Sequence, residues 1–242
     1  MADWDKDDFM SQWDKKYVST NVKSGSQPYS SELFMEVHSA LVSSQAELMD
    51  VSSTIIESET IFLRLREAIT ILFPYLGMPT CIPACYGMIG VVQRKGPSYA
   101  STKVLRKPTI TEEDVRKGTE LRARIYRGVG NSDIFTLMDK YFTDLFTTST
   151  VVTWGYLIAK ANEEVFQPQE SHLIVATAIM ALGATRQTKS HLKATMGLGN
   201  SVGCVKAVIA TVTRIVDWAG RPPVGPFDVD QLASEIQKAL QS

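Results

Sequence analysis

The sequence predicts an all-α protein built from two related helical units in tandem, and three observations carry that prediction. Apolar residues recur three and four positions apart through most of the chain, which is the period of one face of an α-helix. No strand-like alternation runs longer than a few residues; the β-branched Thr150-Val151-Val152-Thr153 comes nearest to one. Finally, one helix-closing phrase occurs twice, since Tyr75, Gly77 and Pro79 stand 143 positions before Trp218, Gly220 and Pro222. The same offset pairs Ile61 with Cys204, Phe62 with Val205, Leu65 with Val208, Ile69 with Val212, Leu72 with Ile215 and Phe73 with Val216, every pair apolar. With a three-residue gap, Glu32 to Leu41 falls opposite His172 to Ala181. Repeated units of this kind pack together because neither buries its apolar face alone. The incomplete unit is assigned to 30–95 and the fuller one to 110–242, with a polar arm at 1–29 and a connector at 96–109.

Within the arm, Phe9, Trp13 and Tyr17 recur every four residues, enough to dock a short helical stretch. Ser30-Ser31-Glu32 opens a helix carrying Leu33, Val37, Ala40 and Leu41, and a more polar helix covers about 46–56. Over 58–75, Ile61, Phe62, Leu65, Ile69, Leu72 and Phe73 form an amphipathic stripe. Cys81 and Cys85 fall one helical turn apart on one face, as small apolar fillers or as a thiol pair. The connector is basic and punctuated by Gly96, Pro97 and Pro108. Thr109 with Glu112, or Thr111 with Asp114, makes a capping box that opens a helix to Tyr126. Gly128 to Asp133 is a turn, and helices to about 147 and over 148–161 follow, the second carrying Trp154.

The stretch 172–222 holds two of the chain's three histidines. His172 starts a helix whose Leu173, Ala176, Ile179 and Met180 share one apolar stripe, and Leu182-Gly183 ends it through the left-handed conformation glycine accepts. A polar segment, Thr185 to Ser190, delivers His191 at the head of the next helical turn. Gly197 to Ser201 breaks the chain with Asn200 or Ser201 as N-cap, and the last helix covers 202–218 with Val205, Val208, Val212, Ile215 and Val216 inward. An imidazole titrates near neutral pH, so His191 takes and returns a proton within one turnover. His172 is a second such group, and Glu170 beside it is an acid or a cap against the helix dipole. Two imidazoles invite a metal, but no third ligand stands at suitable spacing and His38 lies in the other copy, so no metal is expected.

Composition narrows the partners. The 25 basic and 26 acidic residues leave a formal net charge of −1 and are not segregated, so the concentrated basic face of a nucleic-acid binder is missing. The longest apolar run, around Leu173 to Met180, is too short for a bilayer, and the acidic first residues lack the apolar core of a secretory signal. Three cysteines give no disulfide framework. A cytoplasmic protein without a nucleic-acid or membrane partner is the expectation.

Taken in order, Ala181-Leu182-Gly183, His191, Gly197 to Ser201 and Trp218-Ala219-Gly220-Arg221-Pro222 resemble the carboxymuconolactone decarboxylase and alkylhydroperoxidase superfamily where its members carry their site. Upstream, Arg116-Lys117-Gly118, Glu120 to Gly128 and Thr153-Trp154-Gly155-Tyr156 are similar to the decarboxylase branch, so the resemblance covers residues 110–225. It implies an alkylhydroperoxidase-like helical bundle with His191 in the site. Single-unit members form rings of subunits, so the fused pair implies a homo-oligomer, a trimer of tandem units. In the peroxidase branch a glutamate stands where this chain has His172, which keeps a proton-transfer group at that place. Redox members carry Cys-x-x-Cys before the histidine; here Ala184 and Gln187 stand at those positions, which argues against peroxide reduction there.

Together these residues point to a cofactor-free lyase or isomerase acting on a small cyclic organic acid or polyketide-like aromatic, with His191 as general acid/base and His172 as its partner. Decarboxylation needs a desolvating pocket, a donor that orients the carboxylate and an acid that protonates carbon. Gln187 and Arg186 supply donors, and Trp154 and Tyr156 an apolar wall with a phenol. A thiol-dependent peroxide reductase using Cys81 and Cys85, and a non-catalytic binding or scaffold protein, are the competing readings.

Overall fold

Helix follows helix in the computed structural model, which describes residues 55–130, 132–218, 220 and 225–241 and contains no strand among them. The elements are α1 (Ile55–Leu76), α2 (Met78–Lys95), a 3-10 turn (Pro97–Tyr99), α3 (Glu112–Tyr126), α4 (Ser132–Tyr141) and α5 (Thr143–Thr148). α5 runs without interruption into a π-wound segment (Ser149–Ala159) and α6 (Lys160–Glu164); α7 (Pro168–Ala181), α8 (Thr185–Gly197), α9 (Val202–Trp218) and α10 (Val229–Gln241) follow. The all-α class holds, and no described helix is long and apolar enough to cross a membrane. The 1–29 arm with Phe9, Trp13 and Tyr17, the helix at 30–41 with His38, and most of the 46–56 helix lie outside the described residues. So does the Glu32 to Leu41 half of the repeat.

Local chemistry sets the helix ends. Of the two capping boxes that open α3, the one formed is Thr111 with Asp114: the Asp114 amide donates to Thr111 Oγ1 and the Thr111 amide to Asp114 Oδ2, at 3.4 and 2.8 Å. α7 begins four residues before His172 rather than at it, with Pro168 in its first turn. Glu170 is its cap, accepting from the Gln167 amide at 2.7 Å and from Arg64 at 2.9 Å. Gly183 closes α7 with φ +74°. α8 starts at Thr185, which moves His191 from a helix head to mid-helix. Ser201, rather than Asn200, caps α9 by accepting from the Cys204 amide at 3.1 Å.

Three expectations are corrected. The helix read as continuous to about 147 breaks at Phe142, whose φ of −134° and ψ of 44° leave the helical region. The next one starts at Thr143, earlier than read, and its middle is π-wound. α9 is not the last helix: Asp228 Oδ1 accepts from the Gln231 amide at 2.9 Å and opens α10, which buries Val229, Leu232, Ala233 and Ile236.

The main core joins Ile71 of α1, Ile125 of α3, Trp154 and Ile158 of the π segment, Val175 and Ile179 of α7, Ala194 of α8 and Ile236 of α10. α3 and the π segment meet backbone to backbone. A Cβ on Gly118 would lie 2.3 Å from the Thr150 carbonyl oxygen, and one on Gly155 would lie 2.0 Å from that of Asp114. The 143-residue offset aligns helix ends, since Gly77 and Gly220 both take positive φ, at 74° and 63°. It aligns burial in part: Ile61, Leu65 and Leu72 are half-buried like Cys204, Val208 and Ile215, whereas Val205, Val212 and Val216 are buried and their counterparts Phe62 and Ile69 are half-buried and Phe73 is 40% exposed.

The connector has a structural function beyond spacing. Arg106 Nη1 lies 2.7 Å from Glu67 Oε2 of α1, an ion pair without hydrogen-bond alignment, and Glu67 is almost fully buried. The same guanidinium donates to the carbonyls of Tyr156 and Leu157 at 2.9 and 2.7 Å. One side chain thereby ties α1 to the π segment.

Gly155→Ala is expected to lower the unfolding free energy by more than about 3 kcal/mol, because the methyl overlaps a backbone oxygen that belongs to another helix. Urea unfolding measures it, and a loss under about 1 kcal/mol contradicts the close crossing. Arg106→Met leaves the Glu67 carboxylate buried without its cation and is expected to cost about 3–5 kcal/mol. A companion Glu67→Gln, Arg106→Met double variant should recover part of that loss; no recovery would mean the pairing does not matter.

Candidate functional site

Four elements deliver rings into one buried cluster. His172 comes from the second turn of α7, His191 from the middle of α8, Trp154 from the π segment and Tyr126 from the last residue of α3. The two imidazoles stack with centroids 5.1 Å apart and planes inclined by 18°. Trp154 also stacks on His172, at 6.1 Å and 28°. Tyr126 stands roughly perpendicular to Trp154, His172 and His191 with centroids at 5.8, 6.4 and 5.7 Å, the T-shaped arrangement that aromatic rings favour. Tyr126 Oη lies 3.1 Å from His191 Nε2. The phenol donates when the ring carries its proton on Nδ1 and accepts in the other tautomer.

Helical spacing explains why both histidines point inward. On α7, Ser171, His172, Val175, Ala176 and Ile179 form the buried stripe, and on α8 it is Thr188, His191, Leu192 and Thr195. The hydroxyls on these stripes are satisfied: Ser171 donates to the Pro168 carbonyl, Thr188 to that of Ala184, and Thr195 Oγ1 accepts from Asn200 Nδ2 at 2.7 Å. The imidazoles are not. Among the described residues neither ring nitrogen of His172, nor His191 Nδ1, nor the buried Tyr75 Oη has a hydrogen-bond partner. Each buried group left so costs about 1–3 kcal/mol.

Burial fixes the protonation states. It pushes the His191 pKa down to about 4, and holds His172 well below the ordinary imidazole range with help from the neighbouring His191. Both rings are therefore neutral at neutral pH. Burial raises the Tyr126 phenol, with Arg122 opposing, and burial then Tyr126 raise Tyr75, so both stay protonated. His191 keeps 7% of its surface in solvent and His172 none, which makes His191 the ring a small molecule reaches first.

The structure thus brings together three of the six residues read from the sequence as site residues, His191, His172 and Trp154. Tyr156 projects elsewhere, since residues two apart on a helix do not share a face, and its phenol donates to the Lys107 carbonyl. It lines an open cleft of about 240 Å³ with Lys107, Thr111, Lys117 and Lys160. The cations there are largely paired, Lys117 with Glu113 and Glu163, Lys160 with Glu163 and Glu164. That cleft contains no imidazole and no unmet buried donor, so the ring cluster is the stronger site. Arg186 and Gln187 are exposed, although Thr188 in the same turn of α8 is buried. Tyr126 and Tyr75 were missed as site residues; each is an aromatic at a helix end, and nothing local separates such a residue from core packing. Among the described residues no three His, Cys, Asp or Glu side chains converge as metal ligands would.

Neutral burial predicts a pH dependence. In the unfolded chain each imidazole binds a proton near pH 6.5, while in the native state burial lets His191 do so only near 4 and holds His172 well below 6.5. The unfolded state then holds more protons, so stability falls as pH drops from about 6.5 toward 4. The double variant His172→Gln, His191→Gln should flatten that fall relative to the wild type in urea unfolding from pH 7 to 4.5. A difference between the two proteins that stays constant with pH would argue against burial in the neutral form.

Comparison of this chain with protein-family models, with curated proteins and with solved structures finds no match.

Proposed function

We propose that this chain is a cofactor-free lyase or isomerase with a duplicated, alkylhydroperoxidase-like helical bundle of the carboxymuconolactone decarboxylase type. It acts on a small cyclic organic acid or polyketide-like aromatic by proton transfer at His191. The observation that carries this reading is the stacked pair of buried imidazoles, with three ring nitrogens unmet among the described residues and the outer ring held by Tyr126.

His191 is neutral at rest, so it acts first as a base. For an isomerisation it removes a proton from a carbon beside a carbonyl, the electron pair passes into that carbonyl, and the imidazolium returns the proton at another carbon. For a decarboxylation, carbon dioxide leaves, the bonding pair stays on carbon, and an imidazolium charged from water protonates that carbon. Tyr126 Oη, beside Nε2, accepts from the charged ring and holds its plane. His172 stays neutral against it, since a second positive charge at stacking distance is disfavoured. Trp154 keeps the inner side of the stack dry, and Arg186 and Gln187, at the solvent end of α8, meet an anionic substituent of the substrate.

The thiol-dependent reading receives no support: Cys81 is buried, and burial followed by its neighbour Cys85 raises its thiol above the usual range, the opposite of a reactive thiolate. Incubation with a panel of cyclic keto acids and lactones in deuterated water, reading carbon dioxide release and deuterium incorporation, tests the proposal. With any substrate found, His191→Ala should lower kcat by about 100-fold or more with helical content unchanged. The acid limb of kcat/KM should lie nearer pH 4 than 6.5. Undiminished turnover in His191→Ala, or loss of turnover in Cys81→Ser with Cys85→Ser, defeats the reading.

A further inference from the structure

The second helix carries an exposed apolar face. No charged residue occurs from Ala68 to Gln93, a stretch that includes all but the last two residues of α2. α2 turns Cys81, Met88 and Val91 inward. Its other side shows Met78, Ile82, Tyr86 and Ile89 at 54, 42, 47 and 45% exposure, and Phe73 in the last turn of α1 adds 40%. The spacing of Met78, Ile82, Tyr86 and Ile89, followed by Gln93, is the seam spacing of a helix that packs against another helix. Beside the seam a Cβ on Gly87 would meet nothing within 4 Å, so the helix surface is low there and admits a close neighbour. An exposed helix is ordinarily charged on its outer face; one that is uncharged all round is normally covered.

We propose that α2 is the two-fold contact between two copies of this chain, packed antiparallel across its exposed seam. A neutral face needs a neutral partner, because a charged one would strand desolvated charges. α2 is such a surface, and in a two-fold pair each copy presents the same patch to the other. With the axis near Tyr86, Ile82 of one copy faces Ile89 of the second and Met78 faces Gln93, so the seam is its own complement. The exposed seam and Phe73 supply roughly 450 Å² of apolar side chain per copy, about half of what a standard interface buries on each side. Pro79, Pro83, Ala84 and Gly87, exposed on the same helix, extend it. The other exposed apolar stripe, Ile134, Leu137, Tyr141 and Leu145 on α4 and α5, is interleaved with Asp133, Asp139, Lys140 and Asp144 and lacks this neutrality. This contact is independent of the histidine site and of the ring assembly that the family resemblance implies.

Light scattering on the full chain at tens of micromolar gives the mass. An even number of chains is expected, falling to half in Ile82→Glu, Ile89→Glu with helical content retained, while Ile134→Glu leaves the mass unchanged. In the wild type, backbone amides of α2 should exchange hydrogen more slowly at high protein concentration than at low, which tests the contact even if the double variant fails to fold. A monomeric or three-chain wild type overturns the proposal. So does an undiminished mass in a folded Ile82→Glu, Ile89→Glu variant, exchange in α2 that does not depend on concentration, or a monomer that instead floats with phosphatidylcholine vesicles through this face.

Discussion

Everything in the ring cluster depends on two helices touching where neither has a side chain. Gly118 and Gly155 let α3 and the π segment approach until a Cβ on either would collide with a carbonyl oxygen of the other. Once the axes are fixed, so are the large residues borne on them: Trp154 precedes Gly155, and Tyr126 closes the helix that carries Gly118. Arg122 strengthens the same seam by donating to Thr150 Oγ1 and lying 3.7 Å over the Phe146 ring. A wider spacing would move Tyr126 away from His191 Nε2 and separate Trp154 from His172, leaving two imidazoles without the rings that hold their planes.

The π winding belongs to the same constraint. A π turn leaves carbonyls off the regular helical ladder, and runs as long as eleven residues are unusual. Here the carbonyls of Tyr156 and Leu157 accept from Arg106, whose charge is balanced by Glu67 in the interior. The fold treats its buried ionisable groups in two opposite ways. Glu67 is met by a cation from the connector. His172 and His191 have no such partner and give up their charge.

Helix ends were the most legible part of the sequence because they rest on local chemistry. The Thr111 and Asp114 box, Gly183 at positive φ and the run of α9 from Val202 to Trp218 follow from residues within a turn of each boundary. The break at Phe142 carries neither glycine nor proline, and the π winding over 149–159 answers to α3 and Arg106, both distant in sequence. α10 is a different case, for its signal was present: Asp228 as N-cap ahead of Val229, Leu232, Ala233 and Ile236 at helical spacing. Of the site, the two histidines and Trp154 were readable as chemistry-bearing types. Tyr126 was not, because its role comes from meeting His191 across a separation of 65 residues. Arg186 and Gln187 are the opposite case: Gln187 stands one helical turn before His191 with Arg186 beside it, yet both side chains are exposed.

A structural explanation of the histidine pair runs into its own energetics. Three unmet ring nitrogens at about 1–3 kcal/mol each amount to a large part of the net stability of about 5–15 kcal/mol that a domain retains. An aliphatic side chain at His172 would fill comparable space without that penalty, and the fold satisfies the hydroxyls of Ser171, Thr188 and Thr195 on the same stripes. The cost therefore attaches to the imidazoles as such. Their neutrality also gives the chemistry a direction: a ring whose pKa lies near 4 is an uncharged acceptor at neutral pH, and its conjugate acid, once formed in so dry a place, gives the proton back readily. Taking a proton and promptly returning it is what isomerisation demands of a single base, and the return alone is what carbon requires after carbon dioxide departs.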